Sequence, residues 1–157
     1  MENKEKGIRS SDFALLWRKF LLFSKKSRLT WVTFHSAYDF GYLIKMLNHN
    51  RLPQDINTFT DMMDIYFGKN VYDIKSMIRV SREIYGGLER VANKLGVDRV
   101  AGKSHQAAYD SLLTWQTFRK LTDVYHRSML GEDGCSLDLR DLDWSQRVLY
   151  GLEVEAH

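Results

Sequence analysis

The stretch LTWVTFHSAYDFGYLIKML, from Leu29 to Leu47, decides the fold of this chain. Its first part, LTWVTFH (Leu29 to His35), is rich in β-branched and aromatic residues and predicts a buried strand. The part after it predicts a helix from about Tyr38, because apolar residues recur there on one side (Leu43, Ile44, Leu47). A strand that runs directly into a helix is typical of an α/β fold.

The remaining segments continue this order. Apolar spacing predicts helices over about residues 11–25, 56–66 and 107–126, and VYDIK (Val71 to Lys75) predicts a second short strand. Gly86 and Gly87 open a turn into the helix LERVANKL, which Gly96 is placed to end. Because two strands rarely form an independently stable sheet, part of a sheet is expected to be missing. The sequence therefore predicts a helix-rich α/β chain that forms one partial domain over residues 1–157.

Composition narrows the class of protein. The net charge of +3 neither demands nor excludes a nucleic-acid partner. The single cysteine, Cys135, excludes an internal disulfide and fits a reduced compartment. No apolar run has the length of a membrane span, and the first residues are too polar for a secretory signal. We therefore expect no membrane partner and a location in the nucleus and cytoplasm.

Asp39 is the first candidate for a functional carboxylate, and two interpretations of it remain open. A carboxylate in the first turn of a helix favours the positive end of the helix dipole, a structural role worth under about 1 kcal/mol. The functional interpretation is a metal or substrate ligand, because α/β proteins place their sites at the carboxyl ends of strands.

Asp110 is the second candidate. On a helix it shares a side with Ala107, Leu113, Thr114, Thr117, Leu121 and Val124. A carboxylate on such a stripe costs several kcal/mol unless it is paired or bound to a metal. The structural alternative is an exposed or salt-bridged Asp near a helix start. His105 can share a site with Asp110 only from the loop before this helix, since on one continuous helix the two would point about 140° apart.

Two further features favour structural over functional interpretations. Arg18, Lys19, Lys25, Lys26 and Arg28 could meet phosphates, but such a run is more often the solvated face of an amphipathic helix. The four tryptophans are expected in the core rather than on a base-stacking platform (Trp17, Trp31, Trp115, Trp144).

Several blocks of the sequence resemble the Ccr-associated-factor (Caf/Pop) family of mRNA deadenylases, within the DEDD exonucleases. They follow in family order from about Glu5 to Glu155: EKGI, FHSAYDFGYLIKML, YFGKNVYDIKSM, GGLERVANKLGVDRV, HQAAYDSLLT and LYGLEVE. FHSAYD resembles the second motif of these exonucleases, and SHQAAYDSLLT resembles the third.

The resemblance implies a ribonuclease-H-like exonuclease fold and a poly(A)-specific 3′-to-5′ exoribonuclease of the Ccr–Not complex. Its partners would be poly(A) RNA, the Ccr nuclease and the Not scaffold. Two ions of Mg²⁺ or Mn²⁺ would activate water and stabilise the leaving oxygen. Asp39 and Asp110 match the metal-binding, catalytic aspartates of the second and third motifs. His105 matches the histidine that acts as base or positions the water.

One element of the family pattern is absent. The first motif, an Asp-x-Glu on an early strand, does not occur upstream of Asp39, where Asp12 is the sole aspartate. Its loss is expected to cost roughly a thousandfold or more in rate. Three hypotheses stay open: an active deadenylase, a catalytically inactive Ccr–Not interaction module, and a fragment that does not fold alone.

Overall fold

The computed structural model describes residues 7–23, 29–49, 51–98, 107–130 and 142–152. Its helices and strands are, in chain order, α1 (Ser10–Phe23), β1 (Trp31–Thr33), α2 (Ala37–Leu47), α3 (Ile56–Tyr66), β2 (Val71–Asp73), α4 (Ile74–Met77), α5 (Leu88–Lys94) and α6 (Ala107–Leu130). β1 and β2 form a two-stranded parallel sheet. The predicted helix-rich α/β class is therefore confirmed.

The chain divides into two compact units. The first comprises residues up to Trp31 together with Ala37–Val71, and the second comprises Val32–Ser36 together with the residues from Tyr72 onward. The division crosses both strands, so that each unit includes part of β1 and part of β2.

Aromatic packing organises the first unit, in which α2 contacts both α1 and α3. The Trp31 indole donates a hydrogen bond to the Phe67 carbonyl at 3.0 Å and meets the Phe67 ring edge-to-face at 5.4 Å. Phe40 packs on Phe67 from α2, with ring centroids 4.9 Å apart. The Arg18 guanidinium and the Tyr66 hydroxyl both donate to the carbonyl of Leu47, the last residue of α2. Side chains from α1 and α3 thus satisfy a carbonyl that the helix end leaves free.

An apolar cluster forms the core of the described part of the second unit, where α5 packs on α6. Its buried members come from the segments after β2, from both helices and from the carboxyl-terminal part (Ile74, Ile78, Ile84, Val91, Leu95, Leu121, Val124, Leu142). Val32 and Phe34 pack against this cluster. The strand β1 and the residue after it are therefore held to the core through two side chains on the same side of the chain, as alternation along an extended backbone predicts.

The end of α5 confirms the role predicted for Gly96. Leu95 ends the helix, and Gly96 follows with a left-handed φ of 69°. The Gly96 amide donates to Asn93 at 3.0 Å, and the Val97 amide donates to Ala92 at 2.9 Å. This pair of bonds is the Schellman arrangement, which satisfies the last carbonyls of the helix.

Both predicted strands are shorter than the sequence indicates. β1 covers only Trp31–Thr33 of LTWVTFH, because the backbone turns at His35, whose φ is 62°. β2 ends at Asp73, because the Asp73 carboxylate accepts the Lys75 amide at 3.0 Å and begins α4. Local capping therefore overrides the strand propensity of VYDIK. No helix among the described residues is both long and apolar enough to cross a membrane.

Candidate functional site

The turn after β1 carries the start of the FHSAYD motif, and it lies in the second unit. His35 is exposed and adopts a left-handed backbone conformation, which costs a non-glycine residue on the order of 1–3 kcal/mol. Ser36 is buried, and its hydroxyl lies 2.7 Å from the Thr33 hydroxyl. Thr33 in turn bonds to the Tyr72 carbonyl at 3.2 Å. Surrounding contacts thus hold a strained turn at the end of a strand.

The Asp73 carboxylate is the centre of these contacts. Asp73 is only 1% exposed, and its two oxygens accept four backbone amides. Oδ1 accepts from His35 at 2.6 Å and from Lys75 at 3.0 Å. Oδ2 accepts from Ser36 at 3.1 Å and from Tyr150 at 3.2 Å. A carboxylate offers about four acceptor positions, so these bonds leave none for a metal ion.

Tyr150 closes the arrangement from the carboxyl-terminal segment. Its ring meets the His35 ring edge-to-face, with centroids 5.1 Å apart. The Lys75 ammonium lies 5.3 Å from the centroid of the same ring and donates to the Gly86 carbonyl at 2.7 Å. We call His35, Ser36, Asp73, Lys75 and Tyr150 the Asp73 cluster.

The Asp73 cluster was not predicted from the sequence. VYDIK predicted a strand through Asp73, and LYGLEVE was recognised only as a block of the family pattern. The usable signal was an Asp two residues before Lys75 at the end of a strand, which is a capping pattern. Its other three partners, however, lie far from Asp73 in the sequence.

Asp39 lies in the first turn of α2, within the first unit, and is exposed. Among the described residues, no hydrogen bond or ion pair involves its carboxylate. The position agrees with the predicted helix start, where the helix dipole favours a negative charge. An exposed carboxylate is also open to a ligand, so the structural and functional interpretations both remain compatible with this geometry.

Asp110 lies in the first turn of α6, within the second unit, and is half-buried. The side predicted for it is buried, as expected, at Leu113, Thr114, Thr117, Leu121 and Val124. Ala107, the first residue of the helix, is exposed. The carboxylate therefore lies at the outer end of an apolar stripe, where part of its hydration is retained.

The predicted histidine His105 lies outside the described residues, as does Cys135. Asp39 belongs to the first unit and Asp110 to the second. The structure thus places two of the three predicted catalytic residues, each at the beginning of a helix.

Asp12 does not replace the absent Asp-x-Glu motif. Its carboxylate pairs with the Arg9 guanidinium at 2.8 Å. The hydrogen bond from Arg9 is the main reason that the pKa of Asp12 lies below its ordinary value. Asp39 and Asp110 have the oxygen ligands that Mg²⁺ prefers. Within the described residues, however, no three His, Cys, Asp or Glu side chains gather closely enough to hold an ion. The carboxylates suit the ion, but the described part of the chain does not complete a site.

Two expectations about the surface need correction. Trp115 is 48% exposed on α6, whereas the other three tryptophans are half-buried, so Trp115 is not a core residue. The exposed face of α1 is not a solvated basic face either. Lys19 lies on it, but Arg18 turns inward to Leu47, and large apolar side chains occupy the rest (Leu15, Leu16, Phe20, Leu22, Phe23). Lys25, Lys26 and Arg28 lie outside the described residues.

Comparison with curated proteins gives matches along almost the whole chain. The Arabidopsis thaliana protein named "Probable CCR4-associated factor 1 homolog 7" is 40% identical over 156 residues, covering 99% of this chain and 51% of the relative. The Arabidopsis "Probable CCR4-associated factor 1 homolog 10" is 43% identical, covering 98% and 50%. Poly(A) ribonuclease pop2 of Schizosaccharomyces pombe is 38% identical, covering 96% and 41%. The chain thus spans about half the length of the curated relatives it matches.

Comparison with solved structures also gives matches to Pop2 and CAF1 proteins. The Mg²⁺- and Mn²⁺-bound form of S. pombe Pop2p is 35% identical and superposes with a TM-score of 0.69, covering 96% of this chain and 54% of Pop2p. CAF1 co-crystallised with the yeast NOT1 MIF4G domain gives a TM-score of 0.66 at 26% identity, covering 95% and 56%. No family model matches the chain.

Proposed function

We propose, from the premise that this chain is a homologue of the CCR4-associated factor 1 and Pop2 proteins, that it acts in mRNA deadenylation as part of a poly(A)-specific 3′-to-5′ exoribonuclease. The observation that carries the proposal is identity of 38–43% to these proteins over nearly the whole chain. The partners proposed with it are poly(A) RNA and the Ccr and Not subunits of the Ccr–Not complex. We propose the nucleus and cytoplasm as its location.

In this proposal Asp39 and Asp110 each supply a carboxylate ligand for Mg²⁺ or Mn²⁺. The Mg²⁺- and Mn²⁺-bound Pop2p structure supports the choice of ions. When bound, such ions activate water and stabilise charge on the phosphate. His105 accepts the proton of the attacking water or orients that water. Because the described residues hold no group of three candidate ligands, additional carboxylates have to complete the site.

A second candidate function is a non-catalytic interaction module of the Ccr–Not complex. One observation favours it: a structural neighbour is CAF1 co-crystallised with the NOT1 MIF4G domain. Such a module would keep the protein-binding surfaces while it lacked the ligands needed for hydrolysis.

A fusion protein tests the first proposal. The amino-terminal strands of a family member, including Asp-x-Glu, are joined ahead of EKGI, and shortening of a 5′-labelled poly(A) substrate is measured with Mg²⁺ or Mn²⁺. We expect Asp110→Ala to abolish shortening and Asp39→Asn to cripple it. His105→Ala should reduce the rate by about a hundredfold, the usual contribution of a positioned acid or base.

Asp123→Ala is the matched control for Asp110→Ala, since Asp123 is an exposed aspartate of the same helix α6. Its activity should equal that of the parent fusion. A fusion that folds and binds metal yet leaves poly(A) intact would contradict the enzymatic proposal and favour the interaction module.

A further inference from the structure

The carboxyl-terminal block LYGLEVE has no part in the proposed chemistry, yet its described residues reach the second motif. Tyr150 donates its amide to Asp73 Oδ2 at 3.2 Å, and Ser36 donates to the same oxygen at 3.1 Å. One oxygen atom therefore joins the FHSAYD motif to Tyr150 of the LYGLEVE block.

The Tyr150 side chain adds a second connection. Its ring lies edge-to-face on the His35 ring, at 5.1 Å between centroids. The Lys75 ammonium lies over the same ring, and its bond to the Gly86 carbonyl fixes its position. The Tyr150 ring is thus held between His35 of the second motif and Lys75 of α4.

The His35 backbone needs such support. A left-handed φ of 62° is unfavourable for a residue with a side chain and persists only where the surroundings determine it. The contacts that do so are the Asp73 carboxylate, which accepts the His35 amide, and the Tyr150 ring, which covers the imidazole. Asp73 lies at the end of β2, whereas Tyr150 lies in the carboxyl-terminal segment. That segment therefore supplies part of the support for the His35 backbone.

We propose that Tyr150, docked on Asp73, is a positioning residue for the FHSAYD motif, so that the carboxyl-terminal segment latches the turn at His35 and Ser36. Release of Tyr150 leaves one acceptor position of Asp73 unfilled and uncovers the imidazole. The turn then relaxes toward ordinary backbone conformations while the apolar core of the second unit stays intact. The consequence of the latch for catalysis rests on the proposed function, since Asp39 follows Ser36 by three residues.

Nuclear magnetic resonance of the full 157-residue chain tests the latch without any RNA. In Tyr150→Ala we expect the His35 ring-proton resonances to lose the ring-current shift of Tyr150. Amide exchange at His35 and Ser36 should rise by about tenfold, the effect of losing one aromatic pair. Amides of the buried core residues Val91 and Leu121 should exchange at the wild-type rate, because the opening is local.

Two variants serve as controls. Tyr150→Phe keeps the ring and should restore both the His35 resonances and the slow exchange. Tyr109→Ala removes an exposed tyrosine of α6, elsewhere in the same unit, and should leave His35 and Ser36 unchanged. If Tyr150→Ala does not fold, Tyr150→Leu keeps the apolar bulk and should give the same loss of ring-current shift.

Unchanged exchange at His35 and Ser36 in a folded variant that lacks the Tyr150 ring would overturn the proposal. So would an equal acceleration at every amide, because Tyr150 would then support only global stability. Neither result bears on poly(A) shortening, and an inactive fusion protein would leave the latch standing.

Discussion

At the scale of single residues, two glycines differ in whether the backbone requires glycine: Gly96 and Gly41. Gly96 follows α5 with a φ of 69°, a conformation that side chains rarely adopt. Gly41 lies inside α2, and a Cβ added there would meet no atom within 4 Å. The first glycine is therefore required by the helix end, whereas the second only adds freedom to the unfolded chain.

Alanine at these two glycines should have opposite effects on the free energy of unfolding. We expect Gly96→Ala to lower it by about 1–2 kcal/mol, the penalty for a left-handed residue with a Cβ. Gly41→Ala should raise it by roughly 0.5–1 kcal/mol, because alanine favours the helix interior. Urea unfolding followed by circular dichroism measures both. A Gly96→Ala variant as stable as the wild type would contradict the Schellman assignment.

The residues of the candidate site differ in whether their roles can be predicted from the sequence. Asp39 and Asp110 were assigned to helix starts by their motifs, and both lie in the first turn of a helix. The role of Asp73 was missed, because its carboxylate binds amides 38, 37 and 77 residues away, as well as one nearby. Only the folded backbone brings those amides to one point.

At the scale of elements, Asp55 defines the beginning of α3. It precedes the helix in an extended conformation and accepts the Thr58 amide at 2.8 Å. That backbone hydrogen bond is the main reason that the pKa of Asp55 lies below its ordinary value. The depressed pKa means that the cap contributes stability above the unfolded pKa of about 3.9 and loses it as pH falls through the folded pKa.

Substitutions at Asp55 should distinguish the effect of the capping hydrogen bond on stability from the effect of the carboxylate charge. We expect Asp55→Ala to lower the melting temperature at pH 7, because the Thr58 amide loses its acceptor. Asp55→Asn keeps an acceptor, so it should stay near the wild type at pH 7 and lose less stability than the wild type below pH of about 4. Thermal melts across this pH range provide the measurement. Asp61→Ala, at an exposed position within α3, is the control. It should change neither the melting temperature at pH 7 nor the loss of stability below pH of about 4.

At the scale of the whole molecule, two surfaces favour self-association. β1 pairs with β2 on one side, and within the described residues no further strand joins the sheet. A free strand edge can pair with another chain. On α1, Leu22 is 80% exposed and Phe23 is 86% exposed, beside other large apolar side chains. Contiguous apolar surface of this kind promotes association.

We therefore expect the chain to form concentration-dependent oligomers in sedimentation velocity experiments. The double substitution Leu22→Lys and Phe23→Lys should shift the distribution of oligomers toward monomer, since charge on this face opposes its burial. Val80→Lys places the same charge at a separate position that is 53% exposed, and it should have no effect. A monodisperse, cooperatively melting monomer of the wild-type chain would contradict this prediction.

Metal binding by the 157-residue chain should be weak. Asp39 and Asp110 each offer one carboxylate, which leaves an ion mostly hydrated, and Asp73 is saturated by backbone amides. Isothermal titration with Mn²⁺ should give no tight site, and Asp39→Asn or Asp110→Asn should weaken what binding there is. Two tight sites would show that other carboxylates had been recruited.

The amino-acid sequence by itself determined the helix-rich α/β class, the start of α2, all of α3, the buried stripe of α6 and the end of α5 at Gly96. These depend on local spacing and on single residues, which act over a few positions of the chain. Tertiary structure alone decided the length of β1, the inward turn of Arg18 and the Asp73 cluster. Each of these depends on hydrogen bonds or ring contacts between segments far apart in sequence, whose meeting local propensity does not encode.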